Sequence, residues 1–141
     1  MDEQTYRDFE IAEEALSIEG RTLVLVDNAK VFSTYTDHPV PFLCTDIEYL
    51  PDVVVGIDFL GKAGALLCAY ARVRAVFTKQ ATKTALAVLI RAGIPCQTEK
   101  MIPLLPQNSP YNDVYEQRVQ GIDNPEEWFI VLKKRIMNTK E

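Results

Sequence analysis

Two consecutive strand–helix–strand patterns in the middle of the chain constrain its fold more than any other feature of the sequence. Short apolar runs there alternate with segments of helical periodicity. In order, they predict a strand at Val53–Ile57, a helix at Phe59–Ala71, a strand at Arg72–Phe77, a helix from Thr78 to Gly93 and a strand at Pro95–Ile102. A helix between two strands serves as a right-handed crossover, so the three strands are predicted to pair in parallel.

The N-terminal part adds a helix and a hairpin. Apolar residues recur at helical spacing over Gln4–Ile18, namely Tyr6, Phe9, Ala12 and Leu16. Strand-like runs at Thr22–Val26 and Lys30–Tyr35, separated by a turn at Asp27-Asn28, predict an antiparallel hairpin. The chain is therefore predicted to be an α/β protein: a three-layer α/β/α sandwich whose mixed five-stranded sheet joins the N-terminal hairpin to three parallel strands.

Capping signals predict two further helices. Thr45 and Glu48 have capping-box spacing before a short helix that Pro51 closes, within an otherwise irregular, proline-rich segment. Near the C-terminus, Asn124 is expected to cap the last helix, with Pro125 at its first position. The residues of this helix that are expected to face inward are Trp128, Leu132 and Ile136.

Size and composition are those of an ordinary globular domain. With 141 residues and 16.0 kDa, the chain is expected to form one domain over residues 1–141. Its longest apolar stretch, Ala63–Ala71, is about half of what a bilayer span requires. The acidic start carries no signal-peptide pattern, so we expect a cytoplasmic protein with no membrane partner. Three widely spaced cysteines are expected to be free thiols: Cys44, Cys68 and Cys96.

Charge is distributed unevenly along the chain. The net charge of −5 and a pI near 4.9 argue against non-specific binding to nucleic acid, which requires several phosphates to be neutralised at once. Met1–Leu60 carry 3 Lys/Arg against 13 Asp/Glu, whereas Gly61–Asn112 carry 7 against 1. The basic middle is compatible with a small anionic ligand, and also with surface charge that only keeps the protein in solution.

Three loops are expected to meet at one edge of the sheet. Ligands of open α/β sheets bind beyond the carboxyl ends of the parallel strands, where the loops Ile57–Lys62, Phe77–Gln80 and Pro103–Tyr115 are predicted to lie. The first loop lies within Gly56–Ala63, which approaches the phosphate-binding pattern G-x4-G-K-[ST]. Ala63 stands in place of the hydroxyl that would ligate magnesium, so nucleotide hydrolysis is not expected.

Lys62 and Asp58 are the titratable residues of the first loop. Lys62 begins an almost wholly apolar, and therefore buried, helical stretch. It either faces solvent or is partly desolvated, and in the second case it is a candidate base, nucleophile or anion partner. Asp58 is expected to cap the helix or to take part in proton transfer. Gly61 would permit close packing of the helix on the sheet.

No metal or cofactor is expected. A zinc deaminase needs a His or Cys and a Glu at the start of one helix and Pro-Cys-x-x-Cys at the start of the next. Here only Pro95-Cys96 is present, and it lies on a predicted strand. The single histidine, His38, has no activated nucleophile near it in the sequence.

The third loop is long, proline-punctuated and polar, which is typical of functional loops. Its candidates for ligand contact are Asn108, Ser109, Tyr111 and the following Glu116. Alternatively, Asn112 or Asp113 simply caps a short helix that runs to Val119.

The chain resembles an uncharacterised bacterial family, domain of unknown function 1893, from about Phe9 to Ile136. The residues that carry the resemblance are Gly61–Leu67, Ala92–Ile94, Ile102-Pro103, Asn108 and Asp123–Glu127. The resemblance implies a cytidine-deaminase-like α/β/α fold with sheet order 2-1-3-4-5, without zinc ligands and without an assigned reaction.

The resemblance also implies a few site residues. Gly61 and Lys62 match the family's Gly-Lys pair, and Asn108 matches an asparagine after the third parallel strand. Ser109 stands where family members have an arginine. Of a Cys-Pro-x-Glu motif, only the glutamate survives here as Glu116, so a cysteine-dependent function is not expected.

Three functional hypotheses follow. The first is a small cytosolic domain that binds a small anionic or nucleotide-like ligand through Gly61, Lys62, Thr78, Asn108, Ser109 and Tyr111. The second is a non-catalytic scaffold that forms a homodimer through an exposed apolar helix face. The third is a metal-independent enzyme with Lys62 as base or nucleophile and with Asp58 and Glu116 as further candidate catalytic groups.

Overall fold

The computed structural model describes residues 2–18, 20–34, 39–45, 48, 50–103, 105, 109 and 113–139, with the backbone alone at residues 33, 34, 138 and 139. Helices and strands alternate through much of the chain. In order, they are α1 (Glu3–Leu16), β1 (Leu23–Asp27), β2 (Lys30–Thr34), α2 (Pro39–Thr45), β3 (Val54–Leu60), α3 (Lys62–Ala71), β4 (Ala75–Thr82), α4 (Lys83–Ala92), β5 (Cys96–Ile102), α5 (Val114–Arg118) and α6 (Pro125–Thr139).

The strands form a five-stranded sheet in the order β2-β1-β3-β4-β5. Strand β1 is antiparallel to both β2 and β3, whereas β3, β4 and β5 are parallel. Leu60 pairs with Ala81, and Ala81 pairs with Met101, so the three parallel strands end at the same edge of the sheet. The predicted mixed sheet and the strand order implied by the resemblance are both confirmed.

Helix α1 covers one face of the sheet. Phe9, Ala12 and Leu16 are buried against β1, β3 and β4. Gly56 of β3 lets the helix come close, because a Cβ there would lie 3.3 Å from the Cβ of Ala12. Tyr6, the fourth apolar residue of the predicted helical pattern, is instead 57% exposed. At about 100° per residue, Tyr6 falls outside the stripe that the other three residues form.

Helix α3 is the centre of the layer on the opposite face. Every residue from Lys62 to Cys68 is buried, and α3 packs against α2, α4 and α6. Leu89 of α4 and Trp128 and Leu132 of α6 belong to the same apolar core. The predicted three-layer sandwich and the predicted burial of this apolar helix are therefore confirmed.

The β1–β2 hairpin turns one residue later than predicted. Asp27 still pairs with Lys30, so the two-residue loop is Asn28-Ala29. Both loop residues have positive φ angles, of 52° and 69°. Positive φ at both positions gives the backbone twist that a two-residue hairpin loop requires.

Helix α2 lies in the proline-rich segment, upstream of the helix that the sequence predicted there. It spans Pro39–Thr45. Thr45 ends this helix, and its hydroxyl donates a hydrogen bond of 3.0 Å to the carbonyl of Pro41. The helix predicted between Thr45 and Pro51 falls mostly on residues 46, 47 and 49, which lie outside the described residues. Proline is well suited to the first helical position, where its missing N–H would have no partner, so Pro39 can start the helix.

Both crossover helices begin later than predicted, because the strands before them are longer. Strand β3 continues through Leu60 and strand β4 through Thr82, each in register with its neighbour. Asp58, for which a helix cap was one expectation, and Thr78, the predicted start of the next helix, therefore lie inside strands, so the predicted cap and the predicted helix start are wrong. The residues in the capping positions are Gly61 for α3 and Thr82 for α4.

Candidate functional site

The start of helix α3 is capped by a residue from a distant part of the chain. The first N–H groups of a helix have no partner within it, and the N-cap residue Gly61 has no side chain to supply one. The carboxylate of Glu116, on α5, accepts the N–H of Ala63 at 2.9 Å from its Oε1. A Cβ on Gly61 would lie 2.2 Å from that same oxygen. The contact between α3 and α5 therefore requires glycine at position 61.

Helix α5 holds the Glu116 side chain at this position. Asp113 begins the helix, and its Oδ1 accepts the N–H groups of Tyr115 and Glu116 at 3.0 Å each. This confirms one of the two caps that the sequence suggested for a short helix here. Glu116 itself is buried, with 7% exposure.

Two opposing effects act on the Glu116 carboxyl. Burial raises its pKa, because the charged form loses hydration, and the nearby Asp113 raises it further. Hydrogen bonds from the amides of Ala63 and Lys62 lower the pKa, as does the positive charge of Lys62. The net direction is upward, so burial outweighs the stabilisation of the carboxylate.

Lys62 carries its ammonium group to the same edge of the sheet. Its Nζ lies 2.8 Å from Oδ1 of Asp123, in the connector between α5 and α6. The side chain of Lys62 is 11% exposed, whereas that of Asp123 is 77% exposed. The hydrogen bond that the Lys62 ammonium donates lowers the pKa of Asp123, and the positive charge of Lys62 lowers it further.

Helix α6 also forms a hydrogen bond with the start of α3. The indole Nε1 of Trp128 donates a buried hydrogen bond of 3.0 Å to the carbonyl of Ala63. The predicted cap of α6 is confirmed, since Oδ1 of Asn124 accepts the N–H of Glu127 at 3.0 Å. We refer to Gly61, Lys62, Glu116 and Asp123 as the Gly-Lys rim cluster.

The structure brings together three of the residues that the sequence singled out, namely Gly61, Lys62 and Glu116. Sequence reasoning missed Asp123, although it lies in one of the segments that carry the family resemblance. Beside the strong capping signal of Asn124 and Pro125, an exposed carboxylate looks like an ordinary helix-start residue. Nothing local in the sequence links it to a lysine 61 positions earlier.

Two other candidates lie elsewhere in the sheet. Asp58 lies inside β3, and its side chain is 32% exposed. Its Oδ1 lies 4.0 Å from Nζ of Lys79. Thr78 has no exposed surface, and its hydroxyl donates to the carbonyl of Gln80 at 2.8 Å. Asp58 and Thr78 thus have structural contacts of their own.

The remaining candidates come from the third loop. Ser109 lies among the described residues, and it is half-buried. The predictions for Asn108 and Tyr111, and the position of His38, lie outside the described residues.

Cys44, Cys68 and Cys96 are free thiols, as predicted. Burial raises the pKa of Cys68 to about 12 and that of Cys96 to about 11, so both are protonated at neutral pH. In the part of the chain that the structure describes, no group of three or more His, Cys, Asp or Glu side chains is placed to hold a metal ion.

Comparison with known proteins establishes the family. Residues 11–136 match the family described as TM1506, Domain of unknown function (DUF1893). The chain belongs to the DUF1893 family. A crystal structure of a DUF1893 family protein (TM1506) from Thermotoga maritima is similar to this DUF1893 chain, with a TM-score of 0.76 and 22% sequence identity over 95% of this chain and 92% of that one. At this identity the likeness shows the fold alone.

Two further findings concern this DUF1893 chain. No curated protein matches it. None of the helices in the described ranges is both long enough and apolar enough to cross a lipid bilayer.

Proposed function

We propose that this chain binds a small anionic or nucleotide-like ligand at the Gly-Lys rim cluster, with Lys62 supplying the positive charge. The observation that carries this proposal is the geometry of the Lys62 ammonium. Its side chain is 11% exposed, and its counter-ion is a carboxylate that is itself 77% exposed. A cation held in place by packing, whose ion-pair partner is exposed to solvent, can exchange that carboxylate for the anionic group of a ligand.

The position of the cluster supports the proposal. Gly61 and Lys62 directly follow β3, at the edge of the sheet where β4 and β5 also end. In open α/β sheets this edge is where ligands bind. Ser109 comes from the long loop after β5 and, with Asn108 and Tyr111, would contribute hydrogen bonds to the ligand. The three free thiols suit a reducing compartment, so we place this activity in the cytoplasm.

The same geometry favours ligand binding over lysine catalysis. A lysine that acts as base or nucleophile must first lose its proton. In this structure its Nζ lies 2.8 Å from a carboxylate oxygen of Asp123, so the side chain already forms an ion pair with an oxyanion. Lys62 is therefore better suited to hold an anion than to attack a substrate, and Glu116 serves mainly to fix the start of α3.

Thermal unfolding with added anions tests the proposal. Inorganic phosphate, AMP and succinate would each be added at constant ionic strength. An anion at ten times its dissociation constant stabilises the folded state by about 1.4 kcal/mol. For a chain of this length, that raises Tm by roughly 3–5 °C. We expect the shift to disappear in Lys62→Met, which keeps most of the aliphatic stem.

Lys134→Met is the control, because it removes one positive charge from an exposed position on α6. It should keep the full shift. The proposal is wrong if no anion raises Tm, or if Lys62→Met responds as the unmodified protein does.

A homodimer is the second candidate, and the edge strand β2 favours it. Phe32 is 61% exposed and Val31 is 40% exposed on this strand. The opposite edge strand, β5, carries the exposed charges of Glu99 and Lys100, which discourage strand pairing. In an antiparallel pair of β2 strands centred on Phe32, Lys30 would face Thr34 of the second copy, so no like charges would oppose each other.

Light scattering at micromolar concentration tests this second candidate. We expect a dimer mass for the unmodified protein and a monomer mass for Phe32→Lys, which places a charge on the edge. Ile130→Lys is the control, because Ile130 is an exposed apolar residue on α6, at 48% exposure. A monomer mass for the unmodified protein would eliminate the homodimer.

A further inference from the structure

One short segment of the chain supplies a carboxylate partner both for the start of α3 and for the Lys62 ammonium. Helix α5 supplies Glu116, whose carboxylate accepts the N–H of Ala63. Seven residues later, the α5–α6 connector supplies Asp123, whose carboxylate pairs with the Lys62 ammonium. Two carboxylates from one segment thus occupy the positions at which an anion would be bound.

The two carboxylates are held very differently. Glu116 is buried and fixed by helix α5, and the close approach of Gly61 leaves it no room to move inward. Asp123 is 77% exposed and lies on the short connector between Val119, which ends α5, and Asn124, which begins α6. Of the two, only Asp123 can leave its partner without disturbing a packed helix.

The energetics of the pair point the same way. An ion pair whose carboxylate is exposed to water contributes little to stability, because the free carboxylate is well hydrated. The Lys62 side chain, in contrast, is only 11% exposed in the folded protein, where a largely buried charge without an anionic partner is costly. If a bound anion displaces the Asp123 carboxylate, the Lys62 ammonium therefore keeps an anionic partner and the carboxylate becomes hydrated.

We propose that Asp123 is an internal competitor for the ligand, and that the ligand presents a compact oxyanion, a carboxylate or phosphate group, which displaces Asp123 from Lys62. This inference rests on the proposed function and adds to it the class of group that binds and the way in which access is controlled. Binding moves the Asp123 carboxylate outward into solvent, while Glu116 stays on the start of α3. Neutral and cationic ligands do not compete with Asp123, and the site excludes them.

The chain's single tryptophan gives a direct readout. Trp128 donates its indole N–H to the carbonyl of Ala63, the residue next to Lys62, so its fluorescence reports on the start of α3. Inorganic phosphate would be titrated into the unmodified protein and into Asp123→Asn, at constant ionic strength. Since an ion pair whose carboxylate is exposed to water is weak, we expect phosphate to bind about two- to fivefold more tightly to Asp123→Asn.

Asp27→Asn is the matched control. Asp27 is also an exposed aspartate, at 60% exposure, beside a partly buried cation, with its Oδ1 3.8 Å from Nη2 of Arg74. Both substitutions raise the net charge by one, so a general attraction for phosphate would affect them equally. Only Asp123→Asn should bind more tightly than the unmodified protein, and the double variant Lys62→Met/Asp123→Asn should lose the gain.

The possible results separate the two ideas. Phosphate binding that needs Lys62 but is the same in Asp123→Asn and Asp27→Asn would overturn the competition and leave the proposed function standing. If neither phosphate nor succinate binds to the unmodified protein or to Asp123→Asn, both ideas fail. Circular dichroism of each variant establishes that a lost signal is not lost folding.

Discussion

Gly61 shows how a single missing side chain can organise a site. Its φ of −102° is one that any residue can adopt, so glycine is not required by the backbone conformation. What glycine provides is space, because a Cβ would lie 2.2 Å from Glu116 Oε1. The Glu116 carboxylate of α5 occupies this space and caps the start of α3.

Gly61→Ala tests this contact. We expect it to destabilise the protein by about 1–3 kcal/mol, the usual range for overpacking a filled site. In a Glu116→Ala background the destabilisation should fall toward zero, because the clash is gone. Urea unfolding of the four proteins of this cycle gives both values.

Gly93→Ala is the contrasting substitution. Gly93 ends α4 with a φ of +75°, and a Cβ there would meet nothing within 4 Å. Gly93→Ala should lower the free energy of unfolding by about 1 kcal/mol through backbone strain. The loss should be the same whether or not Glu116 is present. If Gly61→Ala also proves insensitive to Glu116, the steric explanation is wrong.

The raised pKa of Glu116 predicts how the stability of the folded protein changes with pH. The folded protein holds this proton more tightly than the unfolded chain, whose ordinary value is 4.5. The stability contributed by protonation is therefore fully present below pH 4.5 and is lost as the pH rises through the raised pKa. Relative to Glu116→Gln, the unmodified protein should become less stable between pH 4 and pH 8.

Urea unfolding at intervals of pH measures this difference. Glu13→Gln, at an exposed position of α1, should show almost no such pH dependence. A difference between the protein and Glu116→Gln that grows in favour of the glutamate as the pH rises would contradict the prediction.

At the scale of elements, the strands decide where the crossover helices begin. Pairing continues past the predicted ends of β3 and β4, as far as the pairs of Leu60 with Ala81 and of Thr82 with Ile102. Helix α4 then starts at Thr82, whose Oγ1 accepts the N–H of Ala85 at 3.1 Å. Several threonines of a sequence can cap a helix. The length of the paired strand decides which of them stands at the N-cap position.

Thr82→Ala tests the selected cap. We expect a loss of about 1 kcal/mol, as for other side-chain caps, and a much smaller loss for Thr82→Ser, which keeps the hydroxyl. Thr84→Ala is the control, because Thr84 is exposed in the first turn of the same helix. Urea unfolding midpoints measure all three. Equal losses for Thr82→Ala and Thr84→Ala would show that Thr82 is not the cap.

At the scale of the whole molecule, a buried aspartate joins distant segments at the end of the sheet opposite the Gly-Lys rim cluster. Asp8 has no exposed surface. It accepts hydrogen bonds from Gln4 of its own helix at 2.9 Å, from the Ala29 N–H in the β1–β2 turn at 3.0 Å and from Arg74, before β4, at 3.2 Å. Arg74 also donates to the carbonyl of Asp52, before β3.

Asp8→Ala should therefore be strongly destabilising. Removing one partner of a buried ion pair leaves the other uncompensated, and we expect a loss of about 3 kcal/mol. Asp27→Asn, which changes an exposed carboxylate 3.8 Å from the same arginine, should change stability by less than about 1 kcal/mol. The measurement is the urea midpoint at an unchanged denaturant slope. Similar losses for the two variants would show that Asp8 does not bridge these segments.

The candidate site could be predicted only in part. Gly61 and Lys62 follow a strand and open a helix, a local arrangement that points to the ligand-binding edge of an α/β sheet. Glu116 was available as a candidate from the long loop, but its function as a cap for α3 was not, because the expected cap was Asp58. Asp123 was missed, since it acts on a residue that is far away in the sequence.

The sequence by itself determined the order of the strands and of the helices other than α2, the three-layer architecture and the cap of α6, and it limited the cap of α5 to Asn112 or Asp113. These features depend on periodicities of 2 and 3.6 residues and on side chains within four residues of one another. Only the tertiary structure decided where β3 and β4 end, that α2 starts at Pro39, and that Glu116 and Asp123 meet the Gly-Lys pair. Strand ends depend on pairing with neighbouring strands, and the two carboxylate contacts span more than 50 residues, so no local pattern encodes them.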